Sequence, residues 1–178
     1  MSEGNKVILL DRDGVLNRDR SNYVRTPQQL QILPGVPAAV SRLTQAGYRV
    51  LIITNQACVG KGLLSSFGLE KIHEKLRREV SEVGGRIDGI YHCPHTDEFN
   101  CDCRKPKPGL ILKARKEWGF LPEQTWFVGD TTRDMAAARA AGCLGALVLT
   151  GQGEMICQQV PDHPHFRDLA DFVSSLLG

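Results

Sequence analysis

Short apolar segments alternate with helical segments along most of this chain, and this alternation constrains its fold more than any other feature. The first apolar segment, residues 6–10, contains four consecutive apolar residues and stops at Asp11-Arg12-Asp13-Gly14. A run without a polar face is typical of a strand that is buried on both sides of a parallel sheet. Further strands are predicted over residues 48–53, 87–91, 125–128 and 146–149.

Amphipathic or Ala-rich helices are predicted between these strands. They cover residues 36–46, 67–83, 110–118 and 134–141, and a last helix begins at about Leu169. Glycine follows several of them, as at Gly119 and Gly142, and glycine is a common residue at the end of a helix. The alternation predicts an α/β layered sandwich with a central parallel sheet. Residues 150–168, which are polar and contain Pro161 and Pro164, are predicted to form a loop.

The composition fits one soluble domain spanning residues 1–178. A hydrophobic fraction of 42% and a charged fraction of 24% are ordinary for a globular protein. A domain of 178 residues buries roughly two thirds of the surface that its unfolded chain exposes, so it needs no disulfide to form a core. No Gly/Ser, Pro or single-charge tract marks a linker.

The charge and the N-terminal sequence limit the partners that we expect. A net charge of +2, with both signs mixed along the chain, gives little electrostatic basis for nucleic-acid binding. The first apolar run is too short for a signal peptide or a membrane span. We therefore expect a cytoplasmic protein with no nucleic-acid or membrane partner, and its charge allows a small anionic substrate. A monomer is also expected. In a reducing compartment its six cysteines are expected to be thiols or metal ligands.

Polar residues follow three of the predicted strands directly. Asp11 and Asp13 follow the first, Thr54-Asn55-Gln56 the second, and Gly129-Asp130 the fourth, with Asp134 close behind. Because the carboxyl ends of parallel strands meet at one edge of the sheet, we expect these groups to converge. Clustered carboxylates repel one another unless a cation lies among them, and hard oxygen ligands suit Mg²⁺. Helix capping is the alternative for Asp130 and Asp134.

The segments DRDGVLN, LIITNQ, the lysine of CRKPKPG, and VGDTTRD resemble the four ordered motifs of the haloacid dehalogenase superfamily. The resemblance implies a Rossmann-like three-layer sandwich and, in the phosphatase branch, transfer through an aspartyl-phosphate. It also implies roles for individual residues. Asp11 would be the nucleophile and Asp13 the general acid and base; Thr54 and Lys105 would hold the phosphoryl oxygens; Asp130 would bind Mg²⁺ with Asp11 and the backbone carbonyl of Asp13.

Other residues of the same motifs are assigned to substrate binding. These are Asn17, Asn55 and Gln56. Lys107 lies in the same short segment as Lys105 and is an alternative for the phosphate-binding lysine. Between the second strand and the cysteine-rich segment there is room for one helix, so we expect no large cap domain.

The cysteine-rich segment contains four possible zinc ligands, Cys93, His95, Cys101 and Cys103. Four protein ligands close a tetrahedral site, so the metal would be structural and would fold a loop that has few apolar residues. Free thiols are the alternative, and His92 is an alternative ligand. Arg104 and Lys105 follow the last cysteine directly, which would place both cations over the phosphate.

This segment also resembles the zinc-containing branch of the superfamily, which includes phosphatases of heptose bisphosphate and of histidinol phosphate. Tyr23-Val24 and Gly60-Lys61-Gly62 favour the heptose enzymes, so the resemblance implies removal of the 7-phosphate of D-glycero-D-manno-heptose 1,7-bisphosphate. Lys61 and Arg104 would contact the distal end of that substrate. Histidinol phosphate is the alternative substrate, because NQACVGKG departs from the NQSGIARG that is more usual in the branch.

Two other classes of protein fit the sequence less well than an enzyme of this kind. A polynucleotide end-phosphatase should carry a basic surface, which the composition lacks. A zinc-organised binding module would not need the complete set of acids and lysine. His73 lies among charged residues of a predicted helix and is expected to be solvated.

Overall fold

The computed structural model describes residues 5–178 and contains a six-stranded sheet with helices on both faces. Its strands are β1 Val7–Leu10, β2 Arg49–Asn55, β3 Gly89–Cys93, β4 Trp126–Gly129, β5 Leu144–Val148 and β6 His165–Phe166. Their order across the sheet is β3-β2-β1-β4-β5-β6, and every neighbouring pair is parallel. The α/β, Rossmann-like prediction is therefore confirmed.

Helices connect these strands. They are α1 Val36–Gln45, α2 Ala57–Gly60, α3 Ser66–Ser81, α4 Gly109–Trp118, α5 Thr132–Ala141, α6 Gly153–Ile156 and α7 Leu169–Leu177. Single turns of 3-10 helix occur at Pro27–Gln29, Asp97–Phe99, Pro122–Gln124 and Cys157–Gln159. Helices α4 and α5 end at Gly119 and Gly142, each in the left-handed conformation, as the sequence predicts.

Alternate residues of β1 face opposite layers, which makes the sheet the middle of three layers. Ile8 and Leu10 belong to the core that α1, α3 and α7 cover, and Leu9 belongs to the core beneath α4 and α5. All three side chains are fully buried. A strand that must be apolar on both faces explains the unbroken apolar run in the sequence.

The order of the strands places a crevice at the carboxyl end of β1. Leu10 pairs with Ile52 of β2 on one side and with Val128 of β4 on the other. The connections that leave β1 and β4 run in opposite directions across the sheet, and a crevice opens where the strand order reverses. The segments that follow β1, β2 and β4 therefore meet there.

Two parts of the predicted secondary structure are wrong. Residues 150–168 do not form only a loop, because they include α6 and the edge strand β6. Strand β6 is two residues long, too short to give a periodic sequence pattern, and it pairs with Leu147 and Val148 of β5. The third strand begins at Gly89 rather than at residue 87.

The connection between β2 and β3 holds only α2 and α3 in the part of the chain that the structure describes. The expectation that no large cap domain covers the sheet edge is therefore confirmed. The crevice is left open to solvent, and the loop between β3 and α4 lies beside it.

Candidate active site

Asp11 lies at the first position after β1, where the sheet ends. Its backbone N–H donates to the carbonyl of Val128 in β4, which fixes the turn, and one carboxylate oxygen accepts from the N–H of Arg12 at 2.7 Å. The same oxygen lies 2.9 Å from the Lys105 ammonium. Burial raises the pKa of Asp11 well above its usual value, and the nearby Asp134 carboxylate adds to the effect while Lys105 opposes it.

Lys105 reaches this point from the loop between β3 and α4. Its backbone is held by Asn55, whose side chain donates to the Lys105 carbonyl and accepts from the Lys105 N–H, both at 3.1 Å. Its buried ammonium donates to the Ile53 carbonyl at 3.0 Å and to Asp134 at 2.7 Å. Burial alone would lower the pKa of Lys105, but the Asp11 and Asp134 carboxylates raise it.

Lys107, the alternative lysine, faces away from this cluster. Its side chain is 43% exposed and its ammonium donates to the side chain of Asn100 at 3.0 Å. Of the two lysines, the structure brings Lys105 to Asp11.

Asp130 follows β4 and is buried with one oxygen that has no hydrogen-bond partner within residues 5–178. The other oxygen accepts from the N–H of Gln152 at 2.9 Å. Glycines surround this carboxylate: a Cβ at Gly14 or at Gly151 would lie 2.1 Å from it, and both residues have positive φ. Burial and the Asp134 carboxylate raise the pKa of Asp130 to about 7.

Asp134 has two functions in the local structure. It completes a capping box with Thr131 at the start of α5, and its other oxygen accepts from Lys105. Helix capping was the alternative to metal binding that the sequence left open for Asp130 and Asp134. The structure shows it for Asp134. Thr131, not Asp130, is the N-cap residue.

This acidic cluster fits a divalent cation. Asp11, Asp130 and Asp134 each offer an oxygen, and these oxygens lie within 4.8 Å of one another. Three buried carboxylates face one lysine, so negative charge is in excess, and the free oxygen of Asp130 lacks a donor within the described residues. Both features suit a hard cation with oxygen ligands such as Mg²⁺.

The Asp13 carboxylate also faces the crevice, and amide groups hold it from behind. Asn17 donates to one oxygen at 2.9 Å and Gln56 to the other at 2.8 Å. Gln56 also donates to the hydroxyl of Thr54 at 2.9 Å. Asn17 and Gln56 are buried and do not line the crevice, whereas Thr54 and Asn55 do. Substrate contact by Asn17 and Gln56 stays a prediction.

Two residues beside Asp13 were not identified from the sequence. The Arg12 side chain is fully buried, and its guanidinium donates to both oxygens of Asp13. The expectation that His73 is solvated is wrong: it is buried on the inner side of α3, 3.3 Å from Arg12. Burial would raise the pKa of Asp13, but the Arg12 charge and the hydrogen bonds from Asn17 and Arg12 lower it.

The crevice has a volume of about 400 Å³ and a cationic rim. Arg20, Arg104 and Arg133 come from three separate segments and all line it. Asp97 links two of them, since it accepts from Arg104 at 2.8 Å and from Arg133 at 3.0 Å. Lys61 does not line the crevice; it donates to the hydroxyl of Tyr23, which does.

The four predicted zinc ligands meet in the loop after β3. Cys93 Sγ lies 3.3 Å from Cys103 Sγ and 3.6 Å from Cys101 Sγ, and His95 Nδ1 lies 3.4 Å from Cys103 Sγ. Tetrahedral zinc with Zn–S bonds of about 2.3 Å needs sulfurs about 3.8 Å apart, so this set fits the ion. His92, the alternative ligand, is not part of the cluster.

The same loop is held against the active-site segments. The Cys93 carbonyl accepts from the N–H of Gln56 at 2.7 Å, and the Pro94 carbonyl accepts from the N–H of Gly60 at 2.8 Å. The ring of Phe99 stacks on His95 with centroids 4.1 Å apart.

Among the described helices, none is long and apolar enough to cross a membrane.

Comparison with known families identifies the class of protein. The model of the haloacid dehalogenase-like hydrolases matches residues 10–142, which include the four segments that meet at the crevice. The chain belongs to this hydrolase family.

Individual relatives cover nearly the whole chain. It is 44% identical to the D-glycero-beta-D-manno-heptose-1,7-bisphosphate 7-phosphatase of Neisseria meningitidis over 172 residues, 94% of this chain and 92% of the relative. It is 40% identical to the enzyme of the same name from Pseudomonas aeruginosa, with 96% and 97% covered. These relatives are phosphatases, and this chain is an enzyme of the same class.

A crystal structure also resembles the chain closely. The D,D-heptose 1,7-bisphosphate phosphatase of B. bronchiseptica, solved with magnesium and phosphate, superposes with a TM-score of 0.94 at 38% identity. The superposition covers 97% of this chain and 98% of that one. This likeness supports the expectation of a magnesium-dependent enzyme.

Proposed function

We propose that this protein removes the 7-phosphate of D-glycero-D-manno-heptose 1,7-bisphosphate in a magnesium-dependent reaction. The observation that carries the proposal is the contact of Asp11 with Lys105 at the base of an open crevice whose rim holds three arginines. The base suits the phosphoryl group that reacts, and the rim suits a second phosphate. The names of the relatives from N. meningitidis and P. aeruginosa agree with that substrate.

In the first step, a carboxylate oxygen of Asp11 attacks the phosphorus, and the bond from phosphorus to the sugar oxygen breaks. The proton that the leaving oxygen needs comes from Asp13. In the second step, Asp13 takes a proton from water, the water oxygen attacks the phosphorus, and the bond to Asp11 breaks. Lys105 and the Thr54 hydroxyl stabilise the negative charge on the phosphoryl oxygens.

Magnesium, bound by Asp11, Asp130 and the Asp13 carbonyl, would offset the repulsion between the carboxylates and the phosphate dianion. Asp134 is a further candidate ligand, because its oxygen belongs to the same cluster. Lys105 contacts both Asp134 and Asp11, so Asp130 is the carboxylate of the cluster that has no contact with the lysine.

The environment of Asp13 suits the second step in particular. Its lowered pKa keeps it ionised, which is the state that a general base needs, and at the same time makes it a weaker base for the proton of water. For the first step it has to gain a proton, which in this proposal comes from the phosphate group of the substrate. Asp13 therefore acts as a general acid in the first step and as a general base in the second step of each turnover.

The four-ligand cluster of cysteines and histidine would hold a structural zinc ion. Four protein donors leave no position for water, so this ion would not generate hydroxide. The ion would instead fix the loop that presents Arg104 and Lys105 to the crevice. Cytoplasmic location, a monomeric state and a single domain over residues 1–178 stay predictions.

The experiment that tests the proposal is phosphate release from the heptose 1,7-bisphosphate, with and without Mg²⁺, for wild type and Asp11→Asn. Wild type should release one phosphate per substrate only with Mg²⁺, and Asp11→Asn should release none while it keeps its circular dichroism spectrum. Histidinol phosphate is the comparison substrate. Turnover by folded Asp11→Asn would refute the nucleophile, and a higher kcat/KM for histidinol phosphate would refute the heptose assignment.

A further inference from the structure

Arg12 is the largest side chain that is fully buried in residues 5–178, and its charge faces a single carboxylate. Its Nη2 donates to the two oxygens of Asp13 at 2.9 and 3.1 Å, and its Nε lies 3.3 Å from the nearer oxygen. A guanidinium in this forked arrangement fixes the plane of a carboxylate as well as its position. The proposed reaction does not otherwise use Arg12.

His73 supports the guanidinium from the opposite side. Its Nε2 lies 3.3 Å from Arg12 Nη1, and an arginine can only donate, so Nε2 is the acceptor and the ring proton is on Nδ1. Burial and the charge of Arg12 lower the pKa of His73 to about 3, which agrees with a neutral ring. The contact ties Arg12 to the middle of α3, a helix of 16 residues.

These contacts give Asp13 two kinds of restraint. Asn17 donates to one oxygen of the carboxylate and Gln56 to the other, and the Arg12 guanidinium donates to both. A carboxylate that transfers a proton must lie at a fixed distance from the reacting oxygens, and an error of about 1 Å can cost about 100-fold in rate. Without Arg12, only the two amide hydrogen bonds would hold the carboxylate.

We propose that Arg12 is a positioning residue for the Asp13 carboxylate and that His73 holds the Arg12 guanidinium in place from α3. The inference rests on the proposed function, because Asp13 acts on the substrate only in that reaction. Arg12 itself does not line the crevice, so its proposed role is exerted through Asp13.

The kinetic test compares four variants with wild type. Arg12→Lys keeps the charge but loses the fork, and His73→Leu removes the acceptor, whereas His73→Gln offers Arg12 a new acceptor oxygen. Arg78→Lys, on the exposed side of α3, is the matched control. We expect kcat to fall about 100-fold in Arg12→Lys, and about 10-fold in His73→Leu, with KM changed less than about threefold in both. His73→Gln and Arg78→Lys should retain wild-type kcat.

NMR spectroscopy can test the contacts of Arg12 with Asp13 and His73 without a measurement of turnover. In protein labelled with ¹⁵N-arginine, the Nε–H signal of Arg12, assigned by its loss in Arg12→Lys, should shift in Asp13→Asn and in His73→Leu. It should not shift in Asp19→Asn, which changes an exposed aspartate of the same loop. If the chemical shift of the Arg12 Nε–H signal is unchanged in Asp13→Asn, the proposal is wrong.

The two proposals fail in different ways. If wild type hydrolyses the heptose bisphosphate and Arg12→Lys does so with equal kcat, the positioning role is wrong and the proposed function stands. If wild type hydrolyses only p-nitrophenyl phosphate, the substrate assignment is wrong, and the same variants measured on that ester decide the role of Arg12. A loss of kcat in His73→Gln as large as in His73→Leu would remove His73 from the proposal.

Discussion

At Asp130 the fold keeps a buried carboxylate whose free oxygen lacks a donor within the described residues. The glycines at positions 14 and 151 make room for it, since a side chain at either would collide with the carboxylate. An arrangement that costs stability in the absence of a cation is typical of a binding site. The variant Asp130→Asn removes that cost and the proposed ligand together.

We predict opposite effects of this variant in the two metal states. In Mg²⁺-free buffer without a chelator, so that zinc is retained, Asp130→Asn should melt at a higher temperature than wild type, because it removes repulsion from Asp134. With Mg²⁺, wild type should gain several degrees through linkage, and the variant should gain little. Differential scanning calorimetry at pH 7.5 measures both. Equal stabilisation of the two proteins by Mg²⁺ would contradict the assignment of Asp130 as a ligand.

Without Mg²⁺, the contribution of Asp130 to the free energy of unfolding should decrease as pH rises. The pKa of Asp130 is raised to about 7, so folding favours its protonated form. Its contribution to stability is therefore present below the unfolded pKa of about 4 and is lost as pH rises toward 7, by up to about 1.4 kcal/mol of unfolding free energy per pH unit. In Mg²⁺-free buffer without a chelator, the unfolding free energy of wild type minus that of Asp130→Asn should fall between pH 4 and 7. A flat difference in urea titrations would show that the pKa of Asp130 is not raised by folding.

The sequence predicted the residues at the base of the crevice but not those behind Asp13. Asp11 and Asp130 follow strands directly, so topology brings them together, whereas the position of Lys105 was implied by the resemblance of its motif. No role was assigned to Arg12 from the sequence, and His73 was predicted to be solvated. Both residues are buried because α3 packs on the loop after β1. No local pattern records a contact between residues 61 positions apart.

At the scale of elements, the loop between β3 and α4 depends on its cysteine cluster. Cys101→Ser should lose stoichiometric zinc by elemental analysis and should expose residues 94–108 to proteolysis, since four ligands close the site. Cys157→Ser changes a cysteine outside the cluster and serves as the control. A fully zinc-loaded Cys101→Ser protein would contradict the assignment.

Helix α5 begins at a capping box that also orients Asp134 toward Lys105. The Thr131 hydroxyl donates to the Asp134 carboxylate at 2.8 Å and accepts from its N–H. Thr131→Ala should lower the unfolding free energy by about 1 kcal/mol, and Thr131→Ser, which keeps the hydroxyl, should lose much less. Urea unfolding of both variants measures the difference. Equal stability of the two variants would mean that the cap contributes nothing.

The predicted secondary structure failed where elements are short. Strand β6 has two residues and forms only against β5, so its conformation is set by the sheet rather than by its own sequence. Long elements such as α3 were predicted closely because their apolar face repeats over several turns. The unbroken apolar run of β1 was likewise a sufficient signal for a strand buried on both faces of the sheet.

The whole molecule lacks a large cap over the crevice within residues 5–178, so selection between substrates has to come from residues on its rim. Arg20, Arg104 and Arg133 lie on three different segments, and only the complete fold brings them together. Their positive charge suits a substrate with two phosphates better than one with a single phosphate. The second phosphate should add affinity through these arginines without changing the chemistry at Asp11.

Arg133→Ala should therefore raise KM for the heptose 1,7-bisphosphate about tenfold, equivalent to about 1.4 kcal/mol, and leave kcat within a factor of about two. KM for the matching 7-monophosphate should change little, because that substrate lacks the distal phosphate. Arg139→Ala is the matched control, since Arg139 lies on the same helix with its side chain 70% exposed and outside the crevice. Steady-state kinetics on both substrates separates the two effects. Equal increases in KM for the two substrates would mean that Arg133 acts on the loop through Asp97 rather than on the distal phosphate.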